Sequence, residues 1–253
     1  MKKNLDYTVL FEDEHIIAFN KRSGILTAAD RYDPDAPRLD VLAEPEYGKL
    51  FAIHRIDKDT SGIILYAKNQ EAHKEMCMLF EKRLIHKTYH ALVYGRPLWN
   101  EHTCDAPLLI DGDARHRSVI NRRHGKSSKT NFKLLGSCNA FSWVEASPVT
   151  GRTHQIRAHL LHEGFQIVCD PLYGGNQKAV KLSDIKRSYR GDIYEERPLL
   201  NRLALHAYKI EFEHPFTKEE ITITAPYSRD LDAVRNQLAK IYKVNPLKEV
   251  EKE

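Results

Sequence analysis

The apolar residues of this chain come in short runs, and none approaches the ~18 residues that a membrane-spanning helix needs. Several runs have the β-rich composition and flanking turn residues of strands, among them 7–11, 16–19, 63–67 and 141–146. These runs outnumber the helical segments and do not alternate with them regularly. Because regular alternation is typical of a parallel α/β sheet, the pattern predicts an α+β fold with a mixed or antiparallel sheet.

Three segments have helical periodicity instead. In the first, apolar residues recur at helical spacing after Asn69, a residue type that often begins a helix: Ala72, Met76, Leu79, Phe80 and Leu84. The second covers 153–163 and ends before Gly164, as glycine commonly follows a helix. The third, at about 228–243, is amphipathic, with Leu231, Val234, Leu238 and Ile241 on one side.

Size and composition are those of an ordinary globular protein. With 253 residues, 42% hydrophobic and 29% charged, the chain is neither low-complexity nor wholly disordered. We expect a single domain, with a core at about 7–226, the C-terminal helix and a charged tail to residue 253. The first six residues lack the apolar stretch of a signal peptide, so we expect a soluble, cytoplasmic protein that does not contact membranes.

Cysteine and histidine spacing argues against a metal site. The four cysteines are dispersed and form no Cys-x-x-Cys pair. His154, His159 and His162 are spaced by five and three residues, which does not match the i, i+4 pair of helical zinc sites. A metal-dependent hydrolase is therefore disfavoured, and we expect no metal.

A dense polar segment, residues 54–62, lies between two apolar runs. An aspartate such as Asp57, held in a loop between buried strands, can act as a nucleophile or a general base. The alternative is that Asp57, Thr60 and Ser61 only cap a turn through hydrogen bonds to the backbone. Spacing alone does not decide between these interpretations.

Two further segments carry candidate functional residues. Arg152 and Arg157 flank the start of the second predicted helix, and an arginine there can hold a carboxylate or a phosphate through paired hydrogen bonds. The segment Lys87-Thr88-Tyr89 is, by itself, a strand with one aromatic residue, and a core or surface tyrosine is its default interpretation.

The stretch 113–133 has a strong local excess of positive charge. It contains seven cations against one acid, Asp113, in a chain whose net charge is only +4. Such a cluster is typical of a surface that binds nucleic acid, although a solvated polar loop is the alternative. The cations expected to contact RNA phosphates are Arg115, Arg117, Arg122, Arg123, Lys126 and Lys129.

Taken together, the three motif segments resemble those of the RluA-type pseudouridine synthases. Residues 54–62 are similar to the family's nucleophile motif, Lys87-Thr88-Tyr89 to its second motif and 151–160 to its third. The similarity continues through 170–174, 205–207 and 214–217, so it covers roughly residues 7–226. Two features depart from the family: Arg22 follows Lys21 where proline is usual, and there is no room for the S4-type RNA-binding domain of many members.

The resemblance implies a fold and a reaction. The fold is one catalytic domain on a long, bent, mixed and mostly antiparallel sheet flanked by helices. The reaction breaks the N1–C1′ bond of a uridine in RNA and rejoins the base through C5, and it requires no cofactor. The family leaves open whether the nucleophile attacks C1′ or a glycal forms by loss of the C2′ proton.

The resemblance also implies roles for individual residues. Asp57 would be the nucleophile, and Arg157 would pair with it and keep it ionised. Tyr89 would stack on the flipped base and help to remove the C5 proton. Arg55 would fill the space that the flipped base leaves, or contact a phosphate instead. His54, Arg152 and His154 are further candidates for contact with RNA.

The partner implied is an RNA substrate, and the enzyme would be an isomerase. Single-domain members of the family act on transfer RNA, on 23S-type ribosomal RNA, or on both. We expect a monomer. The alternative function is that of a catalytically silent RNA-binding or RNA-chaperone protein on the same scaffold, against which the intact motif residues argue.

Overall fold

The computed structural model describes residues 6–29, 35–138, 140–175 and 179–247. In chain order the strands are β1 (Tyr7–Glu12), β2 (Ile16–Lys21), β3 (Phe51–Ala52), β4 (Ser61–Ala67), β5 (His86–Tyr94), β6 (Glu101–Asp105), β7 (Leu108–Leu109), β8 (Val119–Ile120), β9 (Lys129–Cys138), β10 (Phe141–Pro148), β11 (Leu205–Glu213) and β12 (Glu220–Thr224). The helices are α1 (Leu39–Tyr47), α2 (Gln70–Glu81), α3 (Gln155–His162), α4 (Leu182–Ile185) and α5 (Arg229–Tyr242).

The chain divides into two compact units. Unit 1 consists of residues 1–89 and 206–226, and unit 2 of residues 90–205 and 227–253. The division falls within β5, so Tyr89 belongs to unit 1. The expectation of one catalytic domain over the whole chain stays a prediction, and the last six residues of the charged tail lie outside the described residues.

Unit 1 is organised around β4, a strand in which all seven residues are buried. The hydrogen-bonded order is β1-β2-β4-β11, with β3 also beside β4 and β12 beside β11. The pair β4–β11 is parallel, whereas the pairs β1–β2 and β2–β4 are antiparallel. Alternate residues of β4 pack into two separate apolar clusters, Ile63 and Leu65 into one and Ile64 and Tyr66 into the other. Because successive residues face opposite sides of the sheet and both sides are buried, the strand is apolar on both faces from residue 63 onward.

Unit 2 contains the antiparallel strands β10, β9 and β6 in that order, and β7 and β8 form a separate hairpin. Trp143 of β10 is fully buried. Helix α5 buries Leu231, Val234 and Leu238, which confirms the apolar side predicted for it. Among the described ranges, no helix is both long enough and apolar enough to span a membrane.

The helix predictions were correct in kind and differ at the ends. The Asn69 side chain caps α2 by accepting the backbone N–H of Ala72 at 2.8 Å, as predicted. Leu84 lies beyond the end of α2 and is 52% exposed, because Arg83 takes a left-handed conformation with φ of 59° and ends the helical path. Helix α3 begins at Gln155 rather than at residue 153, since His154 is also left-handed.

Candidate active site

The loop that carries Asp57 is fastened to the end of β2 and the residues after it. Lys21, only 1% exposed, donates from Nζ to the carbonyl oxygen of Lys58 at 2.9 Å. The backbone N–H of Gly24 donates to the same oxygen at 2.8 Å, and Thr27 donates from its hydroxyl to the carbonyl of Ile56 at 3.3 Å. The residues on both sides of Asp57 are thus held, and Arg22 in place of proline leaves these bonds intact.

Asp57 also takes part in a tight turn, because its carbonyl oxygen accepts the backbone N–H of Thr60 at 3.1 Å. Next to that turn, Ser61 Oγ lies 2.9 Å from Nδ1 of the buried His206. Gly62 follows with φ of 109°, and a Cβ there would lie 2.2 Å from the carbonyl oxygen of Ala207 on β11. Only glycine allows this close approach of β4 and β11, so the glycine of the motif sets the position of the loop.

His54 lies at the beginning of the same loop and supports it there. Its Nε2 accepts the backbone N–H of Leu65 at 3.0 Å, and its ring stacks on Phe80 with centroids 4.7 Å apart. Burial, with a smaller contribution from the charge of Lys87, lowers the pKa of His54 to about 3. The imidazole is therefore neutral at physiological pH. Contact between His54 and RNA stays a prediction.

Tyr89 is partly buried against the apolar cluster that contains Ile64 and Tyr66. Burial and the negative charge of Asp57 both raise the pKa of the Tyr89 phenol well above its usual value. The phenol is therefore protonated at any physiological pH, and the effect of the Asp57 charge indicates that the two side chains are neighbours. Two of the three predicted catalytic residues thus come together in unit 1.

Arg55 is exposed and, within the described part of the chain, has no hydrogen bond or ion pair. Its guanidinium is consequently available either to enter a space vacated by a base or to bind a phosphate. Both interpretations from the sequence remain open.

Arg157, the third predicted catalytic residue, lies in unit 2 and is held by a carboxylate of the same unit. Its Nε and Nη2 donate to the two oxygens of Asp170 at 2.8 and 2.7 Å, and the side chains are 4% and 0% exposed. Burial alone would raise the pKa of the Asp170 carboxyl, but the hydrogen bonds and charge of Arg157 hold it below its usual value. The predicted pairing of Arg157 with Asp57 stays a prediction.

Tyr173 ties this ion pair to the basic segment. The guanidinium carbon of Arg157 lies 5.0 Å from the centre of the Tyr173 ring, and that of Arg117 lies 5.6 Å from it. The phenol oxygen of Tyr173 accepts the backbone N–H of Ser118 at 2.7 Å and lies 3.2 Å from Nδ1 of His154. Ser118 belongs to the basic segment, so this segment and helix α3, which carries Arg157, are fixed to one another within unit 2.

The side-chain amide of Gln155 fixes the start of α3. Its amide oxygen accepts the Thr150 hydroxyl at 2.7 Å, and its amide nitrogen donates to Thr130 Oγ1 at 2.9 Å. His159 uses both ring nitrogens, one near Thr130 Oγ1 at 2.9 Å and one near the carbonyl of Ala106 at 3.0 Å. No three histidine, cysteine or acidic side chains of the described ranges converge as metal ligands would.

The cations of the basic segment differ in what they already contact. Arg117 donates from Nε to Asp113 at 2.7 Å, Arg115 donates to the carbonyl of Pro171, and Arg152 donates to that of Ser127. Four others form no ion pair or hydrogen bond through their charged ends with described residues: Arg122, Arg123, Lys126 and Lys129. Lys129 is partly buried, whereas Arg122, Arg123 and Lys126 are exposed and therefore the more accessible.

Comparison with known proteins identifies the chain. The family model described as RNA pseudouridylate synthase matches residues 15–162. The ribosomal large subunit pseudouridine synthase C of Vibrio vulnificus is 35% identical over 232 residues, which is 91% of this chain and 69% of the relative. The chain belongs to the RNA pseudouridylate synthase family. It is an RNA pseudouridine synthase, an intramolecular isomerase, as the motifs predict.

Other relatives differ in the RNA that their names specify. The dual-specificity RNA pseudouridine synthase RluA of Vibrio vulnificus is 32% identical over 212 residues, covering 82% of this chain and 78% of the relative. The ribosomal large subunit pseudouridine synthase D of Xanthomonas campestris is 34% identical over 245 residues, covering 93% and 70%. The resemblance to the RluA-type family is thereby confirmed.

A solved structure agrees with the predicted fold class. Human RNA Pseudouridylate Synthase Domain Containing 4 superposes with a TM-score of 0.68 at 22% identity, covering 91% of this chain and 92% of that one. At this identity the likeness concerns the fold alone. The fold is the α+β pseudouridine synthase fold, with a large mixed and mostly antiparallel sheet and flanking helices. The predicted fold class is confirmed.

Sequence reasoning did not assign roles to Asp170 and Tyr173, which hold Arg157 in unit 2. Both residues lie in the segment 170–174, where the sequence shows only that the family resemblance continues. A buried arginine needs a nearby carboxylate, and that requirement could have directed attention to the aspartate in this motif-like segment. In the sequence, Lys21 stands out only because Arg22 follows it where the family usually has proline. In the structure, Lys21 anchors the Asp57 loop.

Proposed function

We propose that this pseudouridine synthase isomerises specific uridines of transfer RNA, of large-subunit ribosomal RNA, or of both, with Asp57 as nucleophile. The observation that carries the proposal is the neighbourhood of Asp57 and Tyr89 in unit 1, in a loop whose backbone is fastened on both sides of the aspartate. The choice of RNA classes follows the names of the relatives, two of which specify the ribosomal large subunit and one dual specificity.

Asp57 supplies the charge that the reaction needs. Cleavage of the N1–C1′ bond makes the sugar electron-deficient, and a carboxylate stabilises such a centre or adds to it, as in glycoside-cleaving enzymes. The base must then turn and bond through C5, after which the C5 proton leaves. A protonated phenol beside the carboxylate is suited to stack on the base and, once a basic group or water accepts its proton, to take part in this transfer.

Arg157 is proposed to keep Asp57 ionised, which is the role that the family resemblance implies for it. The bidentate bond to Asp170 fixes the plane of the guanidinium, which reduces the entropy lost when a second carboxylate binds. Asp170 and Tyr173 are therefore positioning residues in this proposal.

The uridine must leave its stack before it can reach Asp57, at a cost of a few kcal/mol. The exposed cations Arg122, Arg123 and Lys126 are proposed to offset part of that cost by binding phosphates. Arg55 is proposed to enter the vacated space or to bind a phosphate beside it. His54, Arg152 and His154 are further proposed contacts with RNA, and the protein is proposed to act as a monomer.

Mapping pseudouridines in a strain that lacks this chain tests the substrate. Carbodiimide treatment followed by reverse transcription reports each pseudouridine as a stop, and we expect defined stops in transfer or ribosomal RNA to vanish. They should return when the wild-type chain is restored and stay absent with Asp57→Asn. If all stops persist in the deletion strain, the substrate proposal is wrong and the silent RNA-binding alternative gains support.

A further inference from the structure

Lys87 has an unusual environment for a lysine. It lies on β5 and is partly buried, with Nζ 5.6 Å from the centre of the Phe80 ring. His54 stacks on the same ring. Within the described ranges, Nζ of Lys87 has no hydrogen bond and no ion pair.

Among the described residues, therefore, no anion compensates the charge of Lys87. Desolvation lowers the pKa of its ammonium, and no carboxylate offsets that effect. His54, which stacks on the same ring, is neutral at physiological pH and so adds neither attraction nor repulsion there. Cation–π contact with a phenylalanine offsets only part of the cost of removing an ammonium from water.

A partly buried cation without an anion is an arrangement that proteins keep mainly where a ligand supplies the anion. Lys87 lies two residues before Tyr89, so their Cα atoms are about 6.6 Å apart along the strand at ~3.3 Å per residue. Tyr89 is in turn the neighbour of Asp57. The phosphates that flank a nucleotide bound at Tyr89 are the anions that an RNA substrate would bring to this part of the strand.

We propose that Lys87 binds a backbone phosphate of the RNA next to the uridine held at Asp57 and Tyr89. The proposal rests on the proposed function and adds a binding residue to it. A compact ammonium suits this position because it can reach a phosphate oxygen as a point charge while its methylene chain covers Phe80. The phosphate is present before and after bond cleavage, so Lys87 contributes to RNA affinity more than to the chemical step.

Lys87→Met removes the charge and keeps the apolar chain. The probe is a fluorescein-labelled transcript that contains the uridine identified by the mapping above. We expect the slope of log affinity against log salt to shrink by about 0.7–0.9, which corresponds to a five- to eightfold loss of affinity at ~0.1 M salt. Lys87→Arg should keep most of the slope. Single-turnover rates at saturating RNA should change much less than the affinity.

The matched control is Lys74→Met, the same change at an exposed lysine of α2 without partners in the described ranges. It should leave affinity and slope unchanged. If Lys87→Met folds and binds RNA with the wild-type slope, Lys87 is only a hydrated cation on Phe80 and the inference is wrong. If the wild-type chain is itself inactive on this transcript, the proposed function is rejected instead. The two failures are therefore distinguishable.

A second measurement covers the case in which Lys87→Met does not fold. Amine acetylation of the wild-type protein is followed by mass spectrometry with and without the transcript, and the rate at Lys87 is compared with that at Lys74. We expect RNA to slow acetylation of Lys87 selectively, since a bound phosphate shields the amine. A rate at Lys87 that RNA leaves unchanged, including no acetylation under either condition, contradicts the proposal.

Discussion

Two partly or fully buried cations lie beside aromatic rings in the two units, and only one of them has an anionic partner. Arg157 of unit 2 lies over Tyr173 and forms two hydrogen bonds with Asp170. Lys87 of unit 1 lies over Phe80 and has no such partner in the described ranges. A compensated cation is fixed in place and can orient other groups. An uncompensated one leaves its charge available for a ligand, which is the basis for assigning the two residues different tasks.

The largest expected effect concerns the compensated cation. Asp170→Asn leaves the Arg157 charge buried without its partner, and we expect a loss of about 3–5 kcal/mol in the free energy of unfolding. Urea denaturation measures this directly. Glu211→Gln, which breaks the exposed pair with Lys209, is the control and should cost less than about 1 kcal/mol. Equal effects of the two variants would show that Arg157 is compensated in some other way.

The second expected effect concerns the chemistry beside Asp57. Tyr89→Phe keeps the ring, so RNA affinity should survive. If the hydroxyl takes part in moving the C5 proton, the single-turnover rate should fall by about 10²-fold or more. Tyr194→Phe, the same change at a tyrosine that is 91% exposed, is the control and should not alter the rate. A near-normal rate in Tyr89→Phe would reduce the role of Tyr89 to stacking.

The third effect concerns cations that are exposed rather than buried. Replacing Arg122 and Arg123 by alanine should weaken binding at every RNA site in similar proportion and reduce the salt slope by up to about 0.7–0.9 per contact. Rates at saturating RNA should change little. Exchange of Arg229 and Lys240 on α5 for alanine removes the same charge elsewhere and serves as the control. Unchanged affinity and slope in the Arg122, Arg123 variant would support the solvated-loop interpretation.

The smallest effect comes from a second, more exposed ion pair in unit 2. Arg202 donates from Nε to Asp230 at 2.6 Å. Burial alone would raise the pKa of the Asp230 carboxyl, but this arginine lowers it to about 2. A carboxyl with a lowered pKa stabilises the folded state above about pH 4 and loses that effect as the pH falls toward 2.

Asp230→Asn should therefore lower the free energy of unfolding at pH 7 by about 1 kcal/mol, since solvent screens the pair, and flatten its decline between pH 4 and 2. Urea denaturation across this pH range checks the expectation. Parallel pH curves for wild type and variant would contradict it.

The parts of the fold that could be predicted are those with a local signal. Asn69 and the apolar spacing after it specified α2, and the β-rich runs 7–11 and 16–19, separated by a few polar residues, specified β1 and β2. Helix α1 had no such signal, because Arg38 provides no side-chain cap and Pro45 lies inside the helix. The sequence therefore predicts no element at this position.

The candidate site divides in the same way. Asp57, Tyr89 and Arg157 could be found because the motif residues occur in the family's order along the chain. The ion pair of Arg157 with Asp170 and the isolation of Lys87 could not, because both depend on which charges the fold brings together. The absence of a carboxylate near a lysine has no sequence pattern. Which buried cations have an anionic partner is thus the part of the site that only the structure shows.

Asp57→Asn is the most direct test of the central claim that this loop carries the nucleophile. Release of tritium from RNA labelled with 5-³H-uridine is measured beside RNA binding, and Asp59→Asn, an acid two residues further along the same loop, is the control. We expect Asp57→Asn to abolish tritium release while affinity stays near wild type, since asparagine conserves size and removes only the charge. Release within about tenfold of wild type, a barrier change of only ~1.4 kcal/mol, would exclude Asp57 as the nucleophile.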